Sequence, residues 1–343
     1  MARTCRKRKL DAVTRTANMP ILSENQALAA KFANLKIVIL GDIMLDHYII
    51  GDSTRISPEA PVPVVSVSKD SYVPGGAANV ANNLVSLGTP VTLIGSYSED
   101  QESTRLKQVL AERQIQLSHL GQKTEATTIV KTRVVAQRQQ VCRIDREAKP
   151  AAYALHHLLE NQEFISLILN ADAVLFSDYA KGVITNELIE GIHKMVAGSS
   201  KAPMLVVDPK PRRKLNLSGM SLMTPNRSEA LQMAGYDAND DIDDEVVCKA
   251  IFKAYNPEKL VITLGADGML LGEHGKMIGR IPTAAQEVFD VSGAGDTVVA
   301  VLTASIASGL PLEKATFLAN KAAGIVVSHL GTTPITREEL FNA

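Results

Sequence analysis

The feature that most constrains the fold is the alternation of short apolar runs with helix-like segments along most of the chain. Apolar runs such as 91–94 and 173–176 are each followed by a longer helix-like stretch, here 101–113 and 187–196. This pattern is typical of parallel strands that are joined by crossover helices. The sequence therefore predicts an α/β fold with a central, mostly parallel sheet.

Two stretches break this alternation. Residues 62–67, and the pair 127–136 and 139–145, have the character of β-strands without intervening helices. We expect them to form a small antiparallel β lid, built from about residues 46–72 and 127–147, that projects from the core. Such a lid can cover a ligand crevice, or its open edge can pair with a second subunit.

The composition bounds the class of protein. With 343 residues, 45% of them hydrophobic and 21% charged, the chain can form two small domains or one large α/β domain. A net charge of −1 gives no electrostatic support to a role on nucleic acid or on a membrane surface, and no apolar run is long enough to span a bilayer. Cys5, Cys142 and Cys248 are too scattered for a disulfide framework or a zinc site, which favours a reducing cytoplasm.

The N-terminal residues contain the basic run 6–9 but no apolar segment of the secretory-signal type. We expect residues 1–34 to be a basic, disordered arm and lead-in, although the basic run is also suited to polyanions. Residues 35–343 are expected to form a single domain that includes the lid.

Several apolar runs end in a polar side chain, namely Asp42, Asp178, Asp208 and Asn226. One Asp at such a position is usually an N-cap or a turn residue. In an open α/β sheet, however, the ligand crevice lies beyond the carboxyl ends of the strands. Four such residues therefore indicate one site that is assembled from several loops.

Residues 289–297, FDVSGAGDT, carry the strongest functional signal. We expect a β-type run, then a tight turn at Gly293 and Gly295, and an apolar helix after Thr297. The glycines let backbone N–H groups point into one concavity, and the helix dipole makes that concavity an anion site. Asp296 at its rim suits the removal of a hydroxyl proton during phosphoryl transfer. The alternative is that Asp296 is only a helix N-cap.

Three further motifs have a structural and a functional interpretation. The dipeptide Gly75-Gly76 opens a helix that carries Asn79, and it fits either a turn or the close approach of backbone to a hydroxylated ligand. Asn226 and Glu229 have the spacing of a capping box, but a carboxylate at a phosphate site also organises magnesium and its waters. The composition of residues 263–268 is typical of a turn after a strand.

Two other nucleotide-binding motifs are excluded. A dinucleotide fingerprint that starts at Gly293 requires Gly or Ala at position 298, where Val298 stands. The sequence G-x-x-x-x-G-K-[ST] of a P-loop does not occur.

In order and together, these motifs resemble those of the PfkB carbohydrate kinases, the ribokinase-like family, from about Leu35 to the C-terminus. The resemblance implies a three-layer α/β core with a central, mostly parallel sheet and a small antiparallel β lid. It also implies ATP and Mg²⁺ as cofactors and Asp296 as the catalytic base. It implies an anion hole at Gly293, Ala294 and Gly295. It also implies a loop for a monovalent cation such as K⁺ near Asp290 and Ser292.

Residues 41–46 and 55–64, with 177–182 and 208–210, more closely resemble one subgroup of this family. That subgroup phosphorylates D-glycero-β-D-manno-heptose 7-phosphate at O1, on the route to ADP-heptose for the bacterial lipopolysaccharide core. Many of its members continue into a nucleotidyltransferase domain. Because the sequence ends at Ala343, we expect that second activity to be absent.

The motifs, the basic side chains and the resemblance together give a full set of expected site residues. For the sugar phosphate they are Asp42, Asp46, Gly75, Gly76, Asn79, Arg133, Arg143, Asp145 and Lys181. For ATP they are Asn226, Glu229, Thr263, Gly265, Gly268 and Lys210, with Asn226 and Glu229 holding Mg²⁺ through water. A phosphorylated sugar also fits the basic side chains near the crevice, which otherwise are solvated lid charges: Lys131, Arg133, Arg138, Arg143, Lys181 and Lys210.

Two alternatives stay open. In the first, the chain is another kinase of this fold that acts on ribose, adenosine or fructose 1-phosphate. In the second, it is a non-catalytic sensor of sugars or nucleotides. An intact Gly-Ala-Gly turn with Asp296 argues against the sensor, because a sensor needs no base. The open edge of the lid and the family resemblance also predict a homodimer that forms through the lid.

Overall fold

The computed structural model describes residues 24–137, 139–199, 201–285, 287–329 and 331–342. Cys5, the basic run 6–9, the first 23 residues of the predicted arm and Arg138 lie outside these ranges.

The described strands and helices alternate over much of the chain. The strands are β1 (Ile37–Gly41), β2 (Ile43–Ile56), β3 (Pro63–Gly76), β4 (Val91–Ile94), β5 (Gln116–Leu117), β6 (Val130–Ala136), β7 (Gln139–Arg146), β8 (Ala173–Ser177), β9 (Met204–Asp208), β10 (Leu222–Met223), β11 (Lys259–Thr263), β12 (Met269–Glu273) and β13 (Lys276–Ile281). The helices are α1 (Glu24–Ala33), α2 (Ala77–Ser86), α3 (Gln101–Glu112), α4 (Gln162–Leu169), α5 (Asn186–Ala197), α6 (Arg227–Met233), α7 (Asp244–Tyr255), α8 (Ala294–Ala307), α9 (Leu312–Val326) and α10 (Arg337–Asn342).

A nine-stranded sheet in the order β13-β12-β11-β10-β9-β8-β1-β4-β5 forms the centre of the fold. The strands from β11 to β5 in this order pair in parallel, and β12 and β13 add an antiparallel edge. The predicted mostly parallel sheet is confirmed. The sequence shows it clearly because strands that are covered on both faces consist almost wholly of apolar residues.

The helices lie in two layers, one on each face of this sheet. Along β1, Ile37 and Ile39 belong to a hydrophobic cluster with α2, α8 and α9, whereas Val38 and Leu40 belong to a second cluster with α4, α5 and α7. Alternation along a strand sends neighbouring side chains to opposite faces. The result is the expected three-layer core. None of the helices described above has both the length and the apolar character needed to span a bilayer.

Helix α1 precedes the predicted start of the domain at residue 35 and packs on the core. Phe32 is fully buried, and its ring meets that of Phe341 edge to face, with 5.7 Å between the centroids. The boundary at residue 35 stays a prediction, but the last turns of the expected lead-in are part of the packed structure.

The predicted β lid is a second sheet of four strands in the order β3-β2-β6-β7. It consists of two antiparallel hairpins, β2–β3 and β6–β7, whose inner strands β2 and β6 pair in parallel. This central parallel pair was not predicted from the sequence. It forms because β2 and β6 both leave the core at the same edge and run outward side by side, starting where the Leu45 N–H donates to the Ile129 carbonyl.

The expected β-type run before the Gly-Ala-Gly turn is wrong, because residues 287–291 form no strand. The backbone N–H groups of Phe289 and Asp290 both donate to the Val327 carbonyl rather than to a neighbouring strand. Val288 and Val291 are exposed, as is the Phe289 ring. Apolar residues favour a strand only where a sheet and a covering layer can receive them, and this segment lies beyond the last strand.

Candidate active site

A cleft of about 280 Å³ lies between the lid and the carboxyl ends of the main-sheet strands. Strands β2, β3 and β6 form one wall. The carboxyl ends of β9 and β11 and the segments after β9 and β10 form the other, with the first turn of α8 at the base of the cleft. The structure brings thirteen of the predicted site residues to this cleft, namely Asp46, Gly75, Gly76, Asn79, Arg133, Lys210, Asn226, Glu229, Thr263, Ser292, Gly293, Gly295 and Asp296.

Helix α8 begins at Ala294 and not after Thr297, which corrects the expected helix start. Gly293 is its N-cap, with a left-handed φ of 82° that an L-residue rarely adopts, and Asp296 is the third residue of the first turn. The alternative of Asp296 as the N-cap is therefore wrong. Ala294 does not line the cleft, and its N–H donates to the Val291 carbonyl.

Asp296 is buried, and both of its carboxylate oxygens accept a hydrogen bond. The Asn79 amide donates to Oδ2 over 2.7 Å, and the Tyr179 hydroxyl donates to Oδ1. Burial raises the pKa of Asp296 to about 6, while these two hydrogen bonds and the charge of Lys210 oppose the rise. A carboxylate with a pKa close to neutrality is suited to accept a proton and to release it again.

The lid side of the cleft carries cations. Arg133 on β6 forms an ion pair with Asp46 on β2, with 2.5 Å between Nη1 and Oδ1. Lys131, two residues earlier on β6, also faces the cleft but forms no salt bridge with any described residue. Burial lowers the pKa of Lys131, which the charge of Asp46 partly counteracts. This end of the cleft therefore holds a cation whose charge no neighbour neutralises directly.

The opposite end of the cleft is rich in carboxylates. Asn226 and Glu229 form the predicted capping box, in which each side chain accepts from the other residue's N–H, at 2.9 and 2.8 Å. The second oxygen of Glu229 pairs with Lys210. Asp208 is buried beside them, and its burial and the charge of Glu229 raise its pKa well above the usual range.

Asp42 does not reach the cleft, although the sequence analysis assigned it to the sugar. Its side chain is fully buried, and its oxygens accept the N–H groups of Tyr179, Lys181 and Val183 over 2.9–3.0 Å. A carboxylate that holds three backbone donors has no oxygen exposed to a ligand. Asp42 therefore organises the loop after β8, and its assignment as a sugar-binding residue is corrected.

Three other predicted sugar-binding residues lie outside the cleft as well. Arg143 and Asp145 on β7 form a salt bridge with each other, with 2.9 Å between Nε and Oδ1. Lys181 pairs with Glu147. Strand β7 is the outer strand of the lid, so its side chains lie one strand further from the cleft than those of β6.

On the nucleotide side, Gly265 and Gly268 do not line the cleft; they bound the short helical turn after β11. The predicted cation loop is organised by Asp290, whose two oxygens accept the N–H groups of Ser292 and Gly331 over 2.9 and 3.1 Å. Of the two residues assigned to a monovalent cation, only Ser292 faces the cleft. The cation site stays a prediction.

The cleft also has lining residues to which no role was given from the sequence, although Lys131 and Asp208 were expected near the crevice: Met44, Tyr48, Lys131, Tyr179, Asp208, Thr224 and Thr332. Two of them had a usable signal. Tyr179 and Asp208 lie at the carboxyl ends of the adjacent strands β8 and β9, where ligand crevices form. No comparable sequence pattern predicts that Tyr48 and Thr332 face the cleft.

The fold and cleft together define a ribokinase-like α/β protein with a β lid and a buried carboxylate at a helix N-terminus. Residues 34–339 match the family described as pfkB family carbohydrate kinase. The chain belongs to the pfkB family of carbohydrate kinases, and the family predicted from its motifs is confirmed.

Curated relatives give a finer comparison. The chain is 41% identical to bifunctional protein HldE of Azorhizobium caulinodans over 89% of its own length and 63% of the relative's. It is 42% identical to bifunctional protein HldE of Gluconobacter oxydans, with the same two coverages of 89% and 63%. The chain thus spans somewhat less than two thirds of the length of these relatives.

Solved structures with low sequence identity share the fold. A ribokinase from Arabidopsis thaliana complexed with ribose and ATP has a TM-score of 0.72 at 19% identity and covers 90% of this chain and 98% of its own. Phosphofructokinase-2 from Escherichia coli, in complex with substrates and products, has a TM-score of 0.69 at 18% identity, with coverages of 89% and 97%. At these identities the likeness shows the fold alone.

Asp42→Ala tests the structural role of this carboxylate. The change leaves three buried N–H donors without an acceptor, so the free energy of unfolding is expected to fall by roughly 3 kcal/mol or more. Urea denaturation measures the loss. The control is Asp145→Ala, which breaks an exposed ion pair and is expected to cost less than about 1 kcal/mol. Equal, small losses in both variants would contradict the role given to Asp42.

Proposed function

We propose that the protein is an ATP-dependent kinase that phosphorylates D-glycero-β-D-manno-heptose 7-phosphate at O1 and yields the 1,7-bisphosphate. We propose that this activity takes place in the cytoplasm and contributes to the supply of ADP-heptose for lipopolysaccharide. The observation that carries the kinase assignment is Asp296, which sits buried in the first turn of α8, at the base of the cleft. Membership of the pfkB family supports it.

In the proposed reaction, Asp296 takes the proton of the anomeric hydroxyl as that oxygen attacks the γ-phosphorus of ATP, and the bond from this phosphorus to the β–γ bridging oxygen breaks to release ADP. The N–H groups of Gly295 and Asp296 in the first turn of α8 have no partner within the helix, and with the helix dipole they stabilise the charge on the transferring group. Asp46 and Asn79 hold sugar hydroxyls next to the close-packed backbone of Gly75-Gly76. A Cβ atom at residue 75 would stand only 2.5 Å from Asp46 Oδ2, so a larger residue there would displace the Asp46 carboxylate.

The phosphates of ATP are placed at the carboxylate-rich end, near Lys210, Asn226 and Thr263. Glu229 and Asn226 suit magnesium, because this ion is usually held by one or two carboxylates together with waters and phosphate oxygens. The buried carboxylates of Asp208, Glu229 and Asp296 outnumber the single cation of Lys210, which favours an added positive charge here. Bound magnesium would neutralise charge on the β- and γ-phosphates.

The choice of a phosphorylated sugar rests on the lid end of the cleft. Lys131 has no salt-bridge partner among the described residues, and Arg133 beside it has only Asp46. A phosphate dianion satisfies such a pair of cations, whereas a neutral sugar leaves Lys131 uncompensated. The heptose itself is supported by the resemblance of residues 41–46 and 55–64 to the heptose-phosphate subgroup.

Ribose, adenosine and fructose 1-phosphate are the competing substrates, and a non-catalytic sensor is the competing class. We expect ATP consumption with heptose 7-phosphate to exceed that with the three other acceptors, and to stop when a chelator removes magnesium.

Asp296→Asn keeps the hydrogen-bonding shape but cannot act as the base, so turnover should fall by roughly 10²–10⁴-fold. Circular dichroism checks the fold. Turnover of the folded variant at the wild-type rate would remove Asp296 from the mechanism.

Lys131 tests the phosphate of the substrate. Wild-type kcat/KM should favour heptose 7-phosphate over unphosphorylated heptose by about 10³-fold, because the site's charged groups otherwise lack their partner. In Lys131→Met this preference should shrink by about tenfold or more. Arg143→Met removes a lid cation that lies outside the cleft, so it should keep the preference. Phosphorus NMR should show the new phosphate on O1; another position, or no preference in the wild type, would reject the heptose-phosphate assignment.

We also expect a homodimer that forms through the lid. Val67 and Ile144 expose 57% and 58% of their surface on the lid, and β3 and β7 form the two edges of its sheet. A second lid packed on this apolar surface would remove it from water, which favours the dimer. Sedimentation at micromolar concentration should show a dimer, and Ile144→Asp should weaken it. A fully active monomer would contradict this assembly.

A further inference from the structure

Tyr179 is a polar residue of the cleft that the proposed reaction does not use. Its hydroxyl donates to Asp296 Oδ1, and the Asn79 amide donates to the other oxygen. Each carboxylate oxygen thus has one fixed donor. A carboxylate that is held at both oxygens cannot rotate about its Cβ–Cγ bond without losing a hydrogen bond to a charged group.

The loop that carries Tyr179 is fixed on both sides of the ring. Asp42 accepts the N–H of Tyr179 itself and those of Lys181 and Val183. Asp178 accepts the N–H of Ala180 over 2.9 Å, and Ala180 adopts a left-handed φ of 59°. A backbone with so many fixed donors places the phenol in one position relative to the core.

The aromatic ring of Tyr179 stands between the two ends of the cleft. The Lys131 ammonium lies 5.8 Å from the ring centroid, and the Lys210 ammonium lies 5.9 Å from it. Both distances are within the range of a cation–π contact. The ring therefore packs against the cation of the sugar end and the cation of the nucleotide end, while its hydroxyl contacts the carboxylate that lies between them.

We propose that Tyr179 is a positioning residue that holds Asp296 in one orientation and in its charged form, ready to accept the proton of the sugar hydroxyl. The part of this inference that concerns the reaction rests on the proposed function. The part that concerns the charge of Asp296 does not depend on it.

The charges around Asp296 give the direction of the effect. Burial raises its pKa to about 6, the hydrogen bonds from Tyr179 and Asn79 and the charge of Lys210 lower it, and Asp46 raises it. Asp208 also faces it, and the two carboxylates repel each other. Loss of the Tyr179 hydroxyl removes one of the groups that lower the pKa. The pKa of Asp296 should therefore rise, and less of the basic form should be present near neutral pH.

Tyr179→Phe is the appropriate change, because it removes one oxygen and keeps the ring between the two lysines. The pKa of Asp296 is measured directly by carbon NMR of the substrate-free protein with labelled aspartate carboxyls, in which Asp296→Asn identifies the resonance. Loss of a hydrogen bond to a charged group should raise the midpoint by about 1. An unchanged midpoint in a folded Tyr179→Phe protein would overturn the proposal.

The control is Tyr153→Phe, which also removes a buried hydroxyl. The Tyr153 hydroxyl donates to the Thr127 carbonyl over 2.8 Å and accepts from the Ala148 N–H over 2.6 Å, away from the cleft. This variant should lose stability but leave the midpoint of Asp296 in place. A similar shift in both variants would mean that general loosening of the fold, and not the Tyr179 hydrogen bond, moves the pKa.

Kinetics tests the part that concerns the reaction. The acidic limb of the pH profile of kcat should move to higher pH in Tyr179→Phe, and kcat at pH 6 should fall by about fivefold, with a smaller change in KM. Substrate phosphates titrate in the same range but are common to both enzymes, so the difference reports the protein. If no sugar in the panel is phosphorylated, the proposed function fails while the NMR midpoint still decides the role of Tyr179.

Discussion

The hydrogen bonds of one residue, Asp42, connect the parts of the protein that form the cleft. Its N–H donates to Ser177 at the end of β8, and its carbonyl accepts the N–H of Ala77 at the start of α2. Its carboxylate holds the loop that carries Tyr179. Helix α2 and this loop supply the two donors that contact Asp296, so a residue without access to the ligand fixes the geometry of the proposed base.

The cleft separates its charges by position. The lid contributes cations near the expected sugar phosphate, whereas the end of β9 and the first turn of α6 contribute carboxylates near the expected nucleotide. Asp296 and Tyr179 lie between these groups. An acceptor phosphate and a magnesium–nucleotide complex would therefore be attracted to opposite ends, and the reacting oxygen would be left at the middle, where the base is held.

Much of this arrangement could be predicted from the sequence, and the exceptions have physical reasons. Buried parallel strands and the Gly-Ala-Gly turn can be recognised in the sequence, because few residue types tolerate those environments. The role of a strand-end Asp cannot be recognised in this way, since Asp42 and Asp208 have the same local pattern, yet one holds backbone and the other lines the cleft. Residues 139–146 alternate like those of β6, so nothing local reveals that Arg143 lies one strand too far out.

The length of β2 has a mechanical consequence. This strand and its partner β3 run from the core into the lid without a break, so the lid is an extension of one hydrogen-bonded ladder and has no separate hinge. Closing over a ligand would bend that ladder, most easily where its register shifts between Ile50 and Gly51. Asp46 lies on the core side of this irregularity, so the residues nearest the base would keep their spacing while the outer lid moves.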